Sequence, residues 1–440
     1  MCILVAVCAC VLPVPPGHTH PVLSFVEQTV TVAPEGSSEK PAAAEFPVTV
    51  TLGHTWAAFE SKGVRQIYDF ERRRMLSLHL ESKTYEDYSL YAVFAFQVLE
   101  LENRLRINKM MDAAKIERGT TPTVVLEHLF SLQASGQNAD IQSARAGDTT
   151  VFRWKEQDLL TISNASKPLP AAYQAEYWRW LRYTLHGHPQ IYAQLEQYKG
   201  VPELVKVEQW PTLSQSSTTL RLATIKNVAD RPYSLEGFTL TTPQSEPFLT
   251  LRKLDVKAAA MQSASAEAAR RERDTAASEG RMLDAVLASS LYTLVTGDND
   301  ASWTTPIRSK LTEDADARAY AAALPTTDLQ HAESALQTLG NLRTRSSSPY
   351  SYVMDVFAAN QQVLTQHPQD AEKLFLAALS ANPYLTSAWY DLGNLYYVTF
   401  RTPEAWACWD AARRLRPEFP LGKSVSSTEQ KMAADHPEFF

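Results

Sequence analysis

Two histidine pairs and a cysteine pair are the residues of this chain whose types and spacing come nearest to reactive chemistry. His186-Gly187-His188 closes an aromatic-rich segment just before Pro189. Two histidines one residue apart can ligate a metal from a strand, but a zinc site wants three or four protein ligands, and no third is evident. Histidine at a helix C-terminus is also favoured by the dipole alone. His18-x-His20 lies in a Pro-rich lead-in and reads as spacer. Cys8-x-Cys10 is not a zinc spacing, and no second Cys/His pair completes one. Asp298-Asn299-Asp300 lacks the remainder of a calcium loop. There is no G-x-S-x-G and no H-E-x-x-H, and 15 glycines in 440 residues argue against a phosphate cradle. No cofactor, no metal and no catalytic residue is assigned, and the chain reads as non-enzymatic.

A net charge of -7 argues against a nucleic-acid surface, which needs a basic footprint to release counterions. No run of about 20 apolar residues could span a bilayer. Ile3 to Leu12 form an apolar run of signal-peptide length without the positive n-region such a signal wants. Val7-Cys8-Ala9-Cys10 resembles a lipobox, which would make Cys10 the lipidated residue and the only link to a membrane. The expectation is an exported bacterial protein, periplasmic or associated with the outer membrane. Residues 1–22 are read as the signal or lipoprotein-like segment and 23–45 mostly as an exposed lead-in, with SFVEQTVTV (24–32) as a possible strand.

Between residues 46 and 245 strand signals dominate. PVTVTL (47–52) alternates, and VRQIYDF (64–70), RMLSLHL (74–80) and TYEDYSL (84–90) follow in quick succession. Close spacing with β-branched and aromatic enrichment predicts an antiparallel meander. Residues 90–115 contain neither Gly nor Pro and place Phe94, Val98, Leu101, Leu105 and Ile107 on a helical stripe. A second round repeats this order, with strands predicted at 150–156, 158–163, 203–210, 218–228 and 234–242. Its helix is AAYQAEYWRWLRYTL (171–185), where Tyr173, Tyr177, Trp178, Trp180 and Tyr183 either pack a core or line an apolar ligand cavity. The order of elements is similar to that of the lipoprotein-carrier half-barrels of the periplasm, and the likeness implies a lipid or other apolar ligand in this part. Residues 246–280, rich in Ala, Ser, Glu and Arg, show no large apolar face and are read as a polar helical linker.

Residues 281–440 are helical by period, and one motif stands out. Trp389-x2-Leu392-Gly393-x2-Tyr396 is followed by Ala405, Trp409, Ala412 and Pro417. Ala371, Phe375, Ala378 and Pro383 each stand 34 residues before the equivalent position. Small residues allow two helices to approach, large ones fill the layer between them, and proline ends a second helix. This pattern resembles the tetratricopeptide repeat (TPR), with units near 352–385 and 386–419. The resemblance implies a groove lined by the first helices, in which Asn360, Tyr390, Asn394 and Tyr397 would meet a protein or peptide partner. An asparagine can bond an extended backbone through both donor and acceptor. The alternative is that the same residues only brace the chain's own helices.

The fold expected is α+β: a curved antiparallel sheet domain backed by helices, then an all-α, TPR-like domain of helical hairpins. The function expected is a non-catalytic binding or scaffold protein of the bacterial envelope, with a protein partner at the helical groove. Its alternative is a carrier or sensor of an apolar ligand held by the β-rich part.

Overall fold

Alternation of side chains builds the N-terminal half. The computed structural model describes residues 19–32, 42–116, 121–134, 138–210, 215–229, 231–241, 254, 258–325 and 328–440. Its described residues fall into two units. One comprises those within Met1–Tyr85, Glu100–Leu240 and Glu438–Phe440, and the other those within Glu86–Leu99 and Thr241–Pro437.

The first unit carries a large curved sheet of twelve strands, apart from residues 86–89 of the sixth strand, which belong to the second unit. Its first six are β1 (Thr19–Val32), β2 (Ala42–Leu52), β3 (Trp56–Ser61), β4 (Val64–Asp69), β5 (Arg74–His79) and β6 (Thr84–Ser89). After the helices α1 (Leu90–Ala113) and α2 (Thr123–Phe130) come β7 (Ile141–Ala146), β8 (Thr149–Trp154) and β9 (Gln157–Ser163). The short β10 (Ser166–Lys167) and β11 (Val201–Pro202) pair with each other and flank α3 (Gln174–Thr184) and α4 (Pro189–Leu195). The strands β12 (Leu204–Gln209), β13 (Gln215–Ala229) and β14 (Thr239–Leu240) complete the set. The order is β14-β6-β5-β4-β3-β2-β1-β13-β12-β9-β8-β7, antiparallel except where β14 joins β6.

The possible strand at 24–32 is part of β1, which begins at Thr19 and forms the middle of this sheet, so this stretch is no exposed lead-in. β1 pairs β13 from Thr19↔Ala229 to Val32↔Gln215 and β2 from Val22↔Thr51 to Thr31↔Ala42. A signal segment reaching residue 22 would cut into that strand. Residues 1–18, Cys10 among them, lie outside the described residues.

Period-2 burial assigns the faces. Leu23 and Phe25 on β1, Val48, Val50 and Leu52 on β2, and Tyr68 on β4 point to one side and are buried. There α3 lays its rings on the sheet. Trp180 sits 5.9 Å from Phe25 and 6.1 Å from Phe59, and Tyr183 stacks on Tyr68 at 5.1 Å. Burial keeps the phenols of Tyr68, Tyr177 and Tyr183 protonated far above their usual range. The dense aromatics of 171–185 are therefore core. On the opposite face Ala58, Ile67, Leu76 and Leu78 form an apolar layer, covered by Tyr233, Leu235 and Phe238.

The second unit is helical. It contains α5 (Ala258–Glu279), α6 (Met282–Thr296), α7 (Arg308–Glu313), α8 (Ala315–Ala323) and α9 (Leu329–Arg345). Two hairpins follow, α10 (Val353–Leu364) with α11 (Pro368–Ala381) and α12 (Thr386–Val398) with α13 (Thr402–Leu415). The last helix is α14 (Gly422–Asp435).

The polar linker expected over 246–280 is, from Ala258, the packed helix α5. Its buried residues are Ala258, Gln262, Ala266, Ala269, Arg273, Ala276 and Ala277. Spacings of three and four residues make one helical face, and alanine allows the axis of α6 to come close. Gln262 Nε2 donates to the Val295 carbonyl at 2.6 Å, and buried Arg273 pairs with Asp274 and Asp300. Ala269→Leu is expected to cost about 1–3 kcal/mol by overpacking this seam. Urea denaturation measures it, and an unchanged midpoint would return α5 to a solvated helix.

Candidate functional site

Three arrangements in the structure could carry function: a cleft on the sheet, a buried glutamate–histidine cluster, and the surface of the helical hairpins.

The cleft lies in the first unit where the cover over the second sheet face ends. It encloses about 500 Å³, within the range of small-ligand pockets. One wall is the outward side of four adjacent strands: His20 on β1, Thr49 and Thr51 on β2, Trp56, Ala58 and Glu60 on β3, and Arg65 and Ile67 on β4. The other wall is the end of β13 and the segment 231–234. Trp56 holds the walls together, with His20 edge-on at 5.8 Å and Tyr233 edge-on at 5.5 Å. The Tyr233 hydroxyl donates to Asp69 Oδ2 at 2.5 Å, and Arg72 Nη1 donates back to it at 3.3 Å. Burial and the Asp69 carboxylate push the Tyr233 phenol up to about 12. Arg65 binds Glu60 through Nε at 2.9 Å and Nη2 at 2.6 Å. Arg231 stands exposed at the rim.

Sequence reasoning did not single out this cleft. Thr49, Glu60 and Arg65 are the polar half of alternating strands, which reads as a solvent-facing side. Only the return of segment 231–234 over the sheet turns that side into a wall. The sequence carries no local signal for that return beyond the turn at Arg231-Pro232.

Of the histidines singled out for metal, His188 has a structural task, whereas His186 Nδ1 is buried without a hydrogen-bond partner among the described residues. Glu127, His128 and His188 are all fully buried. His188 Nδ1 accepts from the Gln190 amide at 3.2 Å and caps α4, so its Nε2–H faces Glu127 Oε2 at 3.2 Å. His128 Nδ1 accepts from the His188 amide at 3.0 Å, and its Nε2–H donates to the Glu208 carbonyl at 2.7 Å. Glu127 Oε1 accepts from the Ala134 amide at 2.8 Å. Both nitrogens of each ring are thus in use, and the tautomers follow from the network. Burial, reinforced by the neighbouring histidines, pushes His128 down to about 4, and burial does the same to His186. Among the described residues no group of three or more His, Cys, Asp or Glu is placed to hold a metal ion.

The residues expected in a helical groove separate into inside and outside. Tyr390 is 1% exposed, stacks on Phe419 at 5.4 Å and lies against Gly422 of α14. It fills the interior and cannot meet a partner. Asn360 donates to Asp391 Oδ2 at 3.3 Å, between the first helices of the two hairpins. Tyr397 is half-buried against Trp406 and Trp409. Asn394 is exposed. The α6 helix of the same unit packs on both α10 and α12, and Thr386 Oγ1 donates to the Val295 carbonyl at 3.0 Å.

Within the hairpins the residues with packing expectations are close together. Trp389, Leu392, Gly393, Tyr396, Ala405, Trp409 and Ala412 are buried, and Pro417 is exposed beyond the end of α13. A Cβ on Gly393 would lie 2.4 Å from Trp409 Nε1 and 3.1 Å from the Ala405 carbonyl, so only glycine fits there. Thr402, the first residue of α13, does not cap it. Its hydroxyl donates to the Ala92 carbonyl at 2.8 Å, and Arg401 takes the cap position. Cys408 is fully buried, with its thiol pushed up by desolvation, and is a packing residue.

No protein-family model matches this chain, and no curated protein does. Among the described residues no helix is long and apolar enough to cross a membrane.

Proposed function

We propose that the protein is a non-catalytic binding protein whose β-rich unit carries the ligand and whose TPR-like helical unit is a scaffold. The observation that carries this reading is the cleft of about 500 Å³ between Trp56 and segment 231–234, walled by rings and edged by charge. The buried glutamate–histidine cluster does not compete with it as a reactive centre, because its histidine nitrogens all serve the fold. An exported location, with Cys10 as lipid anchor, is part of the same proposal and rests on the first 12 residues of the sequence. The test is an apolar reporter, anilinonaphthalene sulfonate, titrated into the full chain and into a Thr51→Trp variant that fills the cleft. Binding of one equivalent, lost in the variant, is the expected result. Binding that survives the variant overturns the reading.

A second reading gives the helical unit a protein partner. It is favoured by one strip of α12, where Asn394 is exposed and Val398 is 63% exposed one turn further on. An Asn394→Ala/Val398→Glu double variant of the full chain is expected to lose any partner captured there, with unchanged thermal stability. A partner retained by that variant assigns its binding to another surface.

A further inference from the structure

We infer that the ligand of the sheet cleft is a monoanionic amphiphile, an acidic head on a medium-length apolar body. This rests on the proposal that the cleft is a ligand site and deepens it.

The argument is an inventory of what each wall still offers. Trp56, Ala58, Ile67, Val228 and the ring of Tyr233 present carbon. The Tyr233 hydroxyl is already engaged by Asp69 and Arg72, so this residue adds apolar wall and no free donor. The Ser234 hydroxyl accepts from the Glu236 amide. The Glu60 carboxylate is taken by Arg65 at 2.6 Å, and that pair is neutral as a unit. Arg231 is different. It is exposed on the rim, with no ion-pair partner among the described residues. Among the described residues of the cleft, Arg231 is thus the charge without a counter-ion, beside a hydrophobic floor. A cationic ligand would meet that charge unfavourably, and a neutral apolar one would leave it unused. An anion gains a charge-assisted, two-pronged contact with a guanidinium, while its apolar body covers the ring wall.

The position of the groups supports the same polarity. Arg231 follows directly on β13, whose Val228 and Ala229 line the cleft. Trp56 stands across from this edge on β3, held by His20 and Tyr233. The head is thus expected at the 231 edge and the tail along Trp56, Val228 and the ring of Tyr233. The hydroxyls of Thr49 and Thr51 lie on the same wall and can accept or donate to a carboxylate oxygen.

Four probes on the full chain decide it by calorimetric titration: decanoate, decyl sulfate, 1-decanol and decyltrimethylammonium. The expected result is one equivalent of decanoate or decyl sulfate bound, with the alcohol at least tenfold weaker and the cation not bound. Arg231→Gln, a surface change that leaves the fold intact, is expected to weaken decanoate about tenfold and leave the alcohol unchanged. Trp56→Leu is expected to weaken acid and alcohol together, with the circular dichroism spectrum of the parent as the check on folding. Alcohol and acid binding equally, with Arg231→Gln silent, would overturn the monoanion and keep the ligand site. A cation binding best would overturn it as well. None of the four binding, or all binding regardless of Trp56→Leu, would overturn the ligand site itself.

Discussion

Lowering the pH from 7 to about 4.5 is expected to remove most of about 3 kcal/mol from the β-rich unit through His128 alone. Its unfolded value is about 6.5, and in the fold it is pushed down to about 4. As the pH falls through 6.5 the unfolded chain takes up a proton that the native chain refuses. The native state is therefore fully favoured above 6.5 and loses ground until about 4, where both states are protonated. The cause is geometric as well as dielectric, since a proton on His128 Nδ1 would displace the bond it accepts from the His188 amide. His186 is pushed the same way and adds to the loss.

The helical unit contains a group of opposite sign. Burial pushes Asp391 up to about 6, against the bonds it accepts from Asn360 and Ser387. Its ionised form is disfavoured in the fold, so this residue weakens the native state above pH 6 and ceases to do so as the pH falls. Amide hydrogen exchange at pH 7 and 5, corrected for intrinsic rate, separates the two. Protection should fall over 123–130 and hold or rise over 386–398. His128→Gln should flatten the first response, and an unchanged response would show that the cluster does not control acid stability.

The second large effect is at Trp180. Its side chain is 0% exposed and lies between Phe25 of β1 and Phe59 of β3. Removing it leaves a ring-sized void under the centre of the sheet, which is expected to cost about 3–5 kcal/mol as Trp180→Ala. Trp180→Phe should recover much of this. Urea denaturation with m-value comparison measures both. A loss below about 1 kcal/mol would mean that α3 is not the core of the unit, and would reopen the aromatic helix as a ligand wall.

The parts of the fold that could be read in the sequence are those where the pattern has a single reading. The strands β2, β4, β5 and β6, the aromatic helix α3, and the hairpins around Trp389 and Ala405 follow from period and from residue size, whereas β3 was not read. Most of the middle strand β1 was legible as a possible strand at 24–32, but its start at Thr19 and its central place were not, because they depend on pairing with β13, nearly 200 residues on. The helix α5 was hidden because its packing face is alanine, which period analysis counts weakly.

Among candidate site residues, Tyr390 shows the limit most plainly. Its spacing places it on the first helix of a hairpin, but Phe419 and Gly422 come from segments that the repeat pattern does not describe, and they bury it. His186 and His188 were legible as a pair. The partners of His188, Glu127 and His128, sit on the eight-residue helix α2, too short to register by period. The cleft was illegible for a related reason. Its wall is assembled from alternate residues of four strands and closed by a segment that follows β13.

The measurement that tests the central claim most directly is hydrogen exchange of the full chain with and without saturating decanoate. The account predicts added protection over 49–67 and 228–234, with 353–415 unchanged. Protection confined to 353–415, with the strands unmoved, would place binding in the helical hairpins and contradict it.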